Sequence, residues 1–210
     1  IDVGCGEGHN TRLLTQLGAS MFAVDIALGF VRAAATCAPS IPHAAGSAQQ
    51  LPFAPATFDF ATAFMSLMDL PDPAASFQEI YRVLRPGGFL QFSISHPCFS
   101  TIHRRLLRDA RGRAFAVEVG RYFDRADGRI ERWIFSSAPP EIRAGLPLFE
   151  VPLFHRTLAE WLNMIVAAGF AIEHVSEPKA GDALAENHPA VQDTQVVAYF
   201  LHVRCRKPPV

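Results

Sequence analysis

The sequence predicts an α/β protein: a doubly wound, mostly parallel sheet with helices on both faces and an insertion after the fifth strand. Three observations carry the prediction. Short apolar runs alternate with helical patterns through the first half of the chain, as βα units around a parallel sheet do. A glycine loop, Asp2-Val3-Gly4-Cys5-Gly6-Glu7-Gly8, joins the first strand to the first helix. Asp25 then closes the second strand, 19 residues beyond Gly6.

Ile1 to Val3 end a central strand that is shorter than the usual five or so residues. The chain opens without methionine, so it reads as a fragment whose first strand, and whatever precedes it, has been cut. Thr11 to Leu17 follows as a helix with Leu13, Leu14 and Leu17 on one face, and Gly18 stops it. Met21 to Ile26 is the second strand. Ala27 to Ala38 is the next helix, closed by Pro39 and Pro42, and His43 to Ala48 holds a short third strand. Phe58 to Met65 is a near-continuous apolar run, as a strand buried on both faces requires. Asp72-Pro73 opens a helix, since Asp caps well and Pro is tolerated at the first helical position. Phe77, Ile80, Tyr81 and Leu84 form its buried stripe. Arg85-Pro86-Gly87-Gly88 is a turn, and Phe89 to Ser95 the fifth strand.

The alternation then stops. Arg121 to Arg125 and Ile130 to Phe135 flank Asp127-Gly128 as a hairpin would. Thr157-Leu158-Ala159-Glu160 is a capping box, and Leu158, Trp161, Leu162, Ile165 and Val166 recur at helical spacing up to Gly169. Phe170 to Val175 and Gln195 to Cys205 are the last two strands. The 210 residues therefore make one domain, with a core over 1–98 and 155–205 and an insertion over 99–154.

Composition narrows the function. Hydrophobic residues make up 50% and charged residues 19%, enough apolar material for a real core, and the net charge of −1 draws the chain towards neither nucleic acid nor an anionic membrane. Of 19 basic residues only Lys179 and Lys207 are lysines, and with so much alanine this points to a GC-rich bacterial genome. Cys5, Cys37, Cys98 and Cys205 show no CxxC pairing and read as reduced small hydrophobes. No apolar run approaches the ~18 residues of a membrane span, and no signal segment opens the chain. A cytoplasmic protein is expected.

The glycine loop lets the backbone turn tightly and lets a ligand approach closely. The amides opening the next helix can receive an anionic group. Asp25 stands where open α/β sheets place a carboxylate that accepts both ribose hydroxyls. An adenosine-bearing ligand is the reading, against a glycine-rich turn of no functional meaning. The ligand's identity follows from charge. The dinucleotide fingerprint is GxGxxG; here the spacing is GxGxG, with His9 where the third glycine would fall. Asp2 would repel a pyrophosphate, whereas it suits the sulfonium and ammonium of S-adenosylmethionine. A nicotinamide or flavin dinucleotide stays the alternative.

At these residues a family resemblance appears. Ile1-Asp2-Val3-Gly4-Cys5-Gly6-Glu7-Gly8 resembles the first motif of class I, Rossmann-like S-adenosylmethionine-dependent methyltransferases, and Ala23-Val24-Asp25-Ile26 the second. Leu51-Pro52-Phe53, Thr57-Phe58-Asp59-Phe60, Leu70-Pro71-Asp72-Pro73 and Arg82-Val83-Leu84-Arg85-Pro86-Gly87-Gly88 follow in the order of the family's small-molecule, type 11 members. His155-Arg156-Thr157-Leu158 and Ala168-Gly169-Phe170 extend the similarity. The resemblance implies a seven-stranded sheet with an antiparallel last strand. It implies that Asp2, Gly4, Cys5, Gly6 and Gly8 hold the methionine part of the cofactor. Asp25 would take the ribose, with Ile26 against the adenine, Ser47 and Ala48 at its edge, and Phe64 and Met65 beside the cofactor. Ser47 stands where many relatives carry aspartate.

Displacement at a sulfonium needs a base only for an unactivated acceptor, so orientation and exclusion of water can carry most of the catalysis. Three candidates follow strands at their carboxyl ends: Asp69 after the fourth, His96 at the end of the fifth, and His155 before the capping box. Each has a bland alternative, as a turn cap, a histidine satisfied by loop backbone, or a residue bordering the insertion. The other histidines show no metal-ligand spacing. The insertion forms the acceptor site or its lid. Arg104, Arg105, Arg108, Arg111, Arg113, Arg121, Arg125, Arg129 and Arg132 crowd into it, and a solvated hairpin face is favoured over an anionic or nucleic-acid acceptor because acids lie among them. Phe115, Tyr122, Phe123, Trp133, Phe135 and Phe149 suit an apolar pocket or a homodimer contact, with hairpin packing an equal explanation. The partner expected is a small-molecule methyl acceptor. A nucleotide-dependent oxidoreductase and a non-catalytic cofactor-binding protein are the competing functions.

Overall fold

The computed structural model describes residues 1–133, 141, 144–145 and 148–209. In chain order the first elements are β1 (Asp2–Val3), α1 (His9–Gln16), β2 (Ala23–Asp25), α2 (Leu28–Cys37), β3 (His43–Ala45) and β4 (Phe58–Phe64). After a 3-10 turn at Leu67–Asp69 come α3 (Pro73–Val83), β5 (Leu84–Ser95), β6 (His103–Arg108), β7 (Ala114–Gly120) and β8 (Ala126–Trp133). Then follow β9 (Phe149–His155), α4 (Leu158–Ala167), β10 (Ala171–Ser176), α5 (Asp182–Asn187), a 3-10 stretch at Pro189–Gln195, and β11 (Phe200–Arg206).

The chain divides into two compact units. One comprises Ile1–Ile94, Ala159–Ser176 and His202–Val210, the other Ser95–Leu158 and Glu177–Leu201. The first unit is built on a seven-stranded sheet in the order β10-β11-β5-β4-β1-β2-β3. β1 pairs in parallel with β2 and β4, β2 with β3, and β4 with β5, whereas β10 and β11 run antiparallel. This is the mixed Rossmann-like sheet with an antiparallel last strand.

Its core is aromatic and aliphatic. Phe77 of α3, Phe92 of β5 and Trp161 of α4 meet with centroids 5.4, 6.2 and 6.4 Å apart. Such pairs contribute about 0.5–1.5 kcal/mol each beyond the area they bury. Ile80, Val83, Leu84, Leu90, Ile94 and Ile165 complete it, all fully buried. Pro73 opens α3 as expected, and the Asp72 carboxylate accepts from the Ala75 amide at 3.1 Å.

Several local expectations change. Leu13 and Leu17 are 49% and 76% exposed, and Thr11 is the residue of α1 that faces the core. The helix register is set by the Thr11 hydroxyl, which donates to the buried Asp2 carboxylate at 2.5 Å and turns the leucine face outward. In α4, Trp161 and Ile165 are buried but Val166 is not. Full burial of β4 is confined to Ala61, Thr62 and Ala63. Arg85-Pro86-Gly87-Gly88 is a bulge at the start of β5 rather than a separate turn: Phe58 pairs with Leu84 but Phe60 with Phe89. Gly87 takes the left-handed conformation the bulge needs.

In the second unit, β6 and β7 form an antiparallel hairpin, and β8 pairs with β9. Asp127-Gly128 is therefore not a hairpin tip; it lies inside β8, where the register to β9 shifts. The hairpin tip is at Asp109, whose carboxylate accepts from the Arg111 and Arg113 amides at 2.9 Å each. Asp shapes a turn through its side chain, which accepts from backbone amides a few residues on. Phe135 lies outside the described residues. The strand expected from Gln195 starts only at Phe200, because Pro189–Gln195 coils as 3-10 helix. Arg105, Arg108, Arg113, Arg121, Arg129 and Arg132 each pair with an Asp or Glu within 2.6–3.4 Å. Exposed pairs of this kind contribute roughly 0–1 kcal/mol and describe a self-neutralised surface. Arg104 instead lies over the Tyr199 ring, 4.6 Å from its centroid.

Candidate functional site

The carboxyl ends of β1, β2 and β4 gather the first group of candidates, at the point where strand order reverses and open α/β sheets bind their ligands. Asp2 is buried, and both its oxygens are taken: Oδ2 accepts from Thr11 at 2.5 Å and Oδ1 from Thr62 at 2.8 Å. Burial pushes its carboxyl pKa up, against the two hydroxyl bonds that pull it down. Asp2 thus ties α1 and β4 to the strand beneath the loop. Neither threonine stood out in the sequence; a hydroxyl on a helix's first turn, beside an acid in the preceding strand, was the only signal.

The three loop glycines all have positive φ: 72° at Gly4, 56° at Gly6 and 82° at Gly8. They differ in what surrounds them. A Cβ at Gly4 would lie 2.4 Å from Ser66 Cβ, and one at Gly8 would lie 3.2 Å from Ala34 Cβ. A Cβ at Gly6 would meet no atom within 4 Å. Gly4 and Gly8 are packing glycines, while Gly6 borders open space, the cradle a cofactor would need. The Gly6 amide donates to Asp25 Oδ2 and the Ala27 amide to Asp25 Oδ1, both at 2.8 Å. Each Asp25 oxygen keeps a lone pair for a further donor, so the carboxylate fits a ribose.

Cys5 lies in the loop, partly buried and close to three carboxylates. Its thiol pKa is pushed up to about 12, first by burial and then by the charges of Asp2, Asp25 and Glu7. Such a negative field disfavours a pyrophosphate and suits a cationic ligand. Beside Asp25, Ile26 is 73% exposed and presents an apolar surface. Ser47 Oγ accepts from the Gln49 amide at 3.2 Å, and Ser47 and Ala48 are half-buried. At the end of β4, Phe64 is half-buried, and Met65 is held at φ 53° with its amide donating to the Ser93 carbonyl at 2.9 Å. A left-handed non-glycine residue costs about 1–3 kcal/mol and is tolerated chiefly at functional sites.

Asp69 lies in the 3-10 turn beyond β4. Solvent still reaches it, but the surrounding protein pushes its carboxyl pKa up to about 6 by desolvation. The folded chain therefore binds more protons than the unfolded chain between pH ~3.8 and ~6, and stability falls as pH rises through that window. Asp69→Asn is expected to raise Tm above pH 6 and leave it unchanged below pH 4. Thermal melts at the two pH values test this; equal Tm differences at both would overturn it.

His96 and His155 belong to the second unit. His96 is buried, accepts the Cys98 amide at Nδ1 (3.2 Å), and contacts Glu177 Oε1 through Nε2 at 2.8 Å. The amide fixes the tautomer, so Nε2 carries the proton and both ring nitrogens are engaged. His155, also buried, donates from Nε2 to the Tyr122 carbonyl at 2.7 Å. That bond leaves its Nδ1 as an acceptor.

Residues 1–92 match the family model described as a methyltransferase domain. The chain is 39% identical over 114 residues to a demethylmenaquinone methyltransferase of Corynebacterium kroppenstedtii, covering 52% of this chain and 49% of that protein. A demethylmenaquinone methyltransferase of Mycolicibacterium paratuberculosis is 36% identical over the same length, with the same coverage. The chain thus spans about half the length of the curated relatives it matches. Among solved structures, an S-adenosylmethionine-dependent methyltransferase from Mesorhizobium loti superposes with a TM-score of 0.76 at 27% identity, over 98% of this chain and 89% of that one. By fold and by matched domain, the chain resembles the class I, Rossmann-like S-adenosylmethionine-dependent methyltransferases.

Proposed function

We propose that this chain transfers a methyl group from S-adenosyl-L-methionine to an oxygen, nitrogen or carbon nucleophile of a small molecule, by in-line displacement. One observation carries the reading: the open glycine at Gly6 has its amide on the Asp25 carboxylate at 2.8 Å, in a loop whose preceding strand carries the buried carboxylate of Asp2. S-adenosylmethionine supplies a methyl group on a sulfonium, a positively charged electrophile. Asp25 receives the ribose hydroxyls, and Ile26 covers the adenine, with Ser47 and Ala48 at its edge. The loop from Gly4 through Cys5 and Gly6 to Gly8 lies along the methionine part, with Asp2 acting through its charge from behind. Phe64 and Met65 border the sulfur. The kinship with demethylmenaquinone methyltransferases supports the donor and a small-molecule acceptor.

The insertion, 99–154, holds the acceptor. Where the acceptor needs deprotonation, Asp69 is ionised at neutral pH with a pKa near 6, a suitable value for a general base. His155 retains an accepting nitrogen for the same task. His96 can accept only by releasing the Cys98 amide, so it shapes the loop after β5 and orients the acceptor. A cytoplasmic location accords with four free cysteines, and no helix among the described residues is long and apolar enough to cross a membrane. A homodimer through the exposed Phe115 and Phe149 belongs to the same reading.

Calorimetry with S-adenosylhomocysteine and with NAD tests the proposal. Saturable binding of S-adenosylhomocysteine and none of NAD is expected. Tight NAD binding without S-adenosylhomocysteine binding would replace the methyltransferase by an oxidoreductase. Cofactor binding with no turnover across a broad acceptor screen would favour a binding protein.

A further inference from the structure

Two of the motifs that resemble the family, Leu51-Pro52-Phe53 and the one opening at Arg82, have no part in the site described above. The structure joins them. Arg82 Nη1 donates to the Phe53 carbonyl at 2.7 Å and Nη2 to the Leu51 carbonyl at 3.0 Å. The same guanidinium donates from Nε to Glu79 Oε1 at 2.7 Å and from Nη2 to Glu79 Oε2 at 2.8 Å. Glu79 Oε2 in turn accepts the Leu51 amide at 2.9 Å. Three backbone groups of one short segment are therefore held by one ion pair of α3.

That segment begins at the acid of the candidate cofactor site. The Gly46 amide donates to the Asp25 carbonyl at 3.0 Å, and Ser47 bridges to Gln50. Phe53 closes the far end, edge-on to Phe22 and Phe58 with centroids 4.8 and 5.0 Å away. Between these ends a turn closes from the Gln50 amide to the Ser47 carbonyl at 3.1 Å, with Gln49 Nε2 donating to the Asp72 carbonyl at 2.9 Å, and the chain then runs irregularly through Leu51 to Phe53. Irregular backbone is ordered by side chains that satisfy its polar groups. A guanidinium does this well, because five N–H donors in a rigid fork can serve a carboxylate and two carbonyls at once.

We infer that Glu79 and Arg82 are positioning residues for the cofactor: the pair holds residues 46–53 in the shape that receives the adenosine end of the ligand, without touching the ligand itself. The inference rests on the reading of Ser47 and Ala48 as the adenine edge. It accounts for the spacing of three between Glu79 and Arg82 on α3. A surface ion pair needs no such carbonyl partners. The charge coupling is consistent: the Arg82 bonds hold the Glu79 carboxyl below its ordinary value.

The test uses Arg82→Met, which keeps the packed stem and removes the fork, and Glu79→Gln, a milder variant should the first fold poorly. Calorimetry well below Tm measures S-adenosylhomocysteine and adenosine, and thermal melts are recorded in parallel. Loss of the fork is expected to weaken both ligands by the same factor, about tenfold for Arg82→Met and about threefold for Glu79→Gln, from unclamping one or two charge-assisted bonds. A lowered Tm with both affinities unchanged would assign the pair a purely structural role and overturn the inference. So would a loss for S-adenosylhomocysteine that spares adenosine. Failure of the parent chain to bind either ligand would instead remove the cofactor reading on which the inference stands.

Discussion

Gly4→Ala is expected to cost about 2–5 kcal/mol of stability, the sum of a left-handed penalty near 1–2 kcal/mol and overpacking of about 1–3 kcal/mol. The first part follows from φ 72° at Gly4, the second from a Cβ placed 2.4 Å from Ser66 Cβ and 2.8 Å from Ser66 Oγ. Neither neighbour can yield cheaply, since the Ser66 hydroxyl donates to the Val3 carbonyl at 2.9 Å and anchors the turn beyond β4 to β1. With native stabilities of about 5–15 kcal/mol, the variant sits near the threshold of folding. Adding Ser66→Gly removes both colliding atoms and should recover the overpacking part but not the backbone part. Denaturant melts of the single and double variants measure this. A single variant as stable as the parent would show that Gly4 is not a packing glycine. Gly6→Ala is the control: no atom lies within 4 Å of its Cβ, so only backbone strain is added and the damage should fall on ligand binding.

Asp25→Ala is expected to reduce affinity for S-adenosylhomocysteine by about 100-fold, from two charge-assisted bonds of roughly 1.5 kcal/mol each. On the proposed reading the ribose loses its acceptor, and the loop loses its brace, because the Gly6 and Ala27 amides both rest on this carboxylate at 2.8 Å. Asp25→Asn separates the two effects. It retains one oxygen but turns an amide N–H towards a backbone N–H, so it should weaken binding nearly as much while packing almost unchanged. Calorimetry on both variants checks the prediction. Affinity within threefold of the parent for Asp25→Ala would remove Asp25 from the cofactor site.

The legible parts of the site were those whose signals are local. Three glycines that each need positive φ announce a tight loop within seven residues. The spacing from Gly6 to Asp25 reflects the length of one βα unit and could be read directly. Asp72-Pro73 predicted the start of α3 for the same reason, because a cap acts on amides only a few residues away. Where the deciding partner is distant, reading failed. The α1 leucines spelled a buried stripe, yet the Thr11 hydroxyl won the inward face through Asp2, nine residues earlier. Asp127-Gly128 has the composition of a hairpin tip, but β8 found its partner in β9, more than twenty residues on, and the pair became a bulge.

By itself, then, the sequence determined the α/β class, the strand-loop-helix that begins the fold, the acid after the second strand, and a charge pattern that suits a sulfonium better than a pyrophosphate. Each depends on conformations and charges carried within a few residues or one βα repeat. Only the tertiary structure decided which loop glycine packs and which stands open, since Ser66 reaches Gly4 from the end of another strand. It also decided that Asp2 is consumed by two hydroxyls, one of them sixty residues away, and that Arg82 clasps the carbonyls of Leu51 and Phe53. Contacts between residues far apart in the chain leave no periodic trace in it, because any of several side chains could have made them until packing chose one.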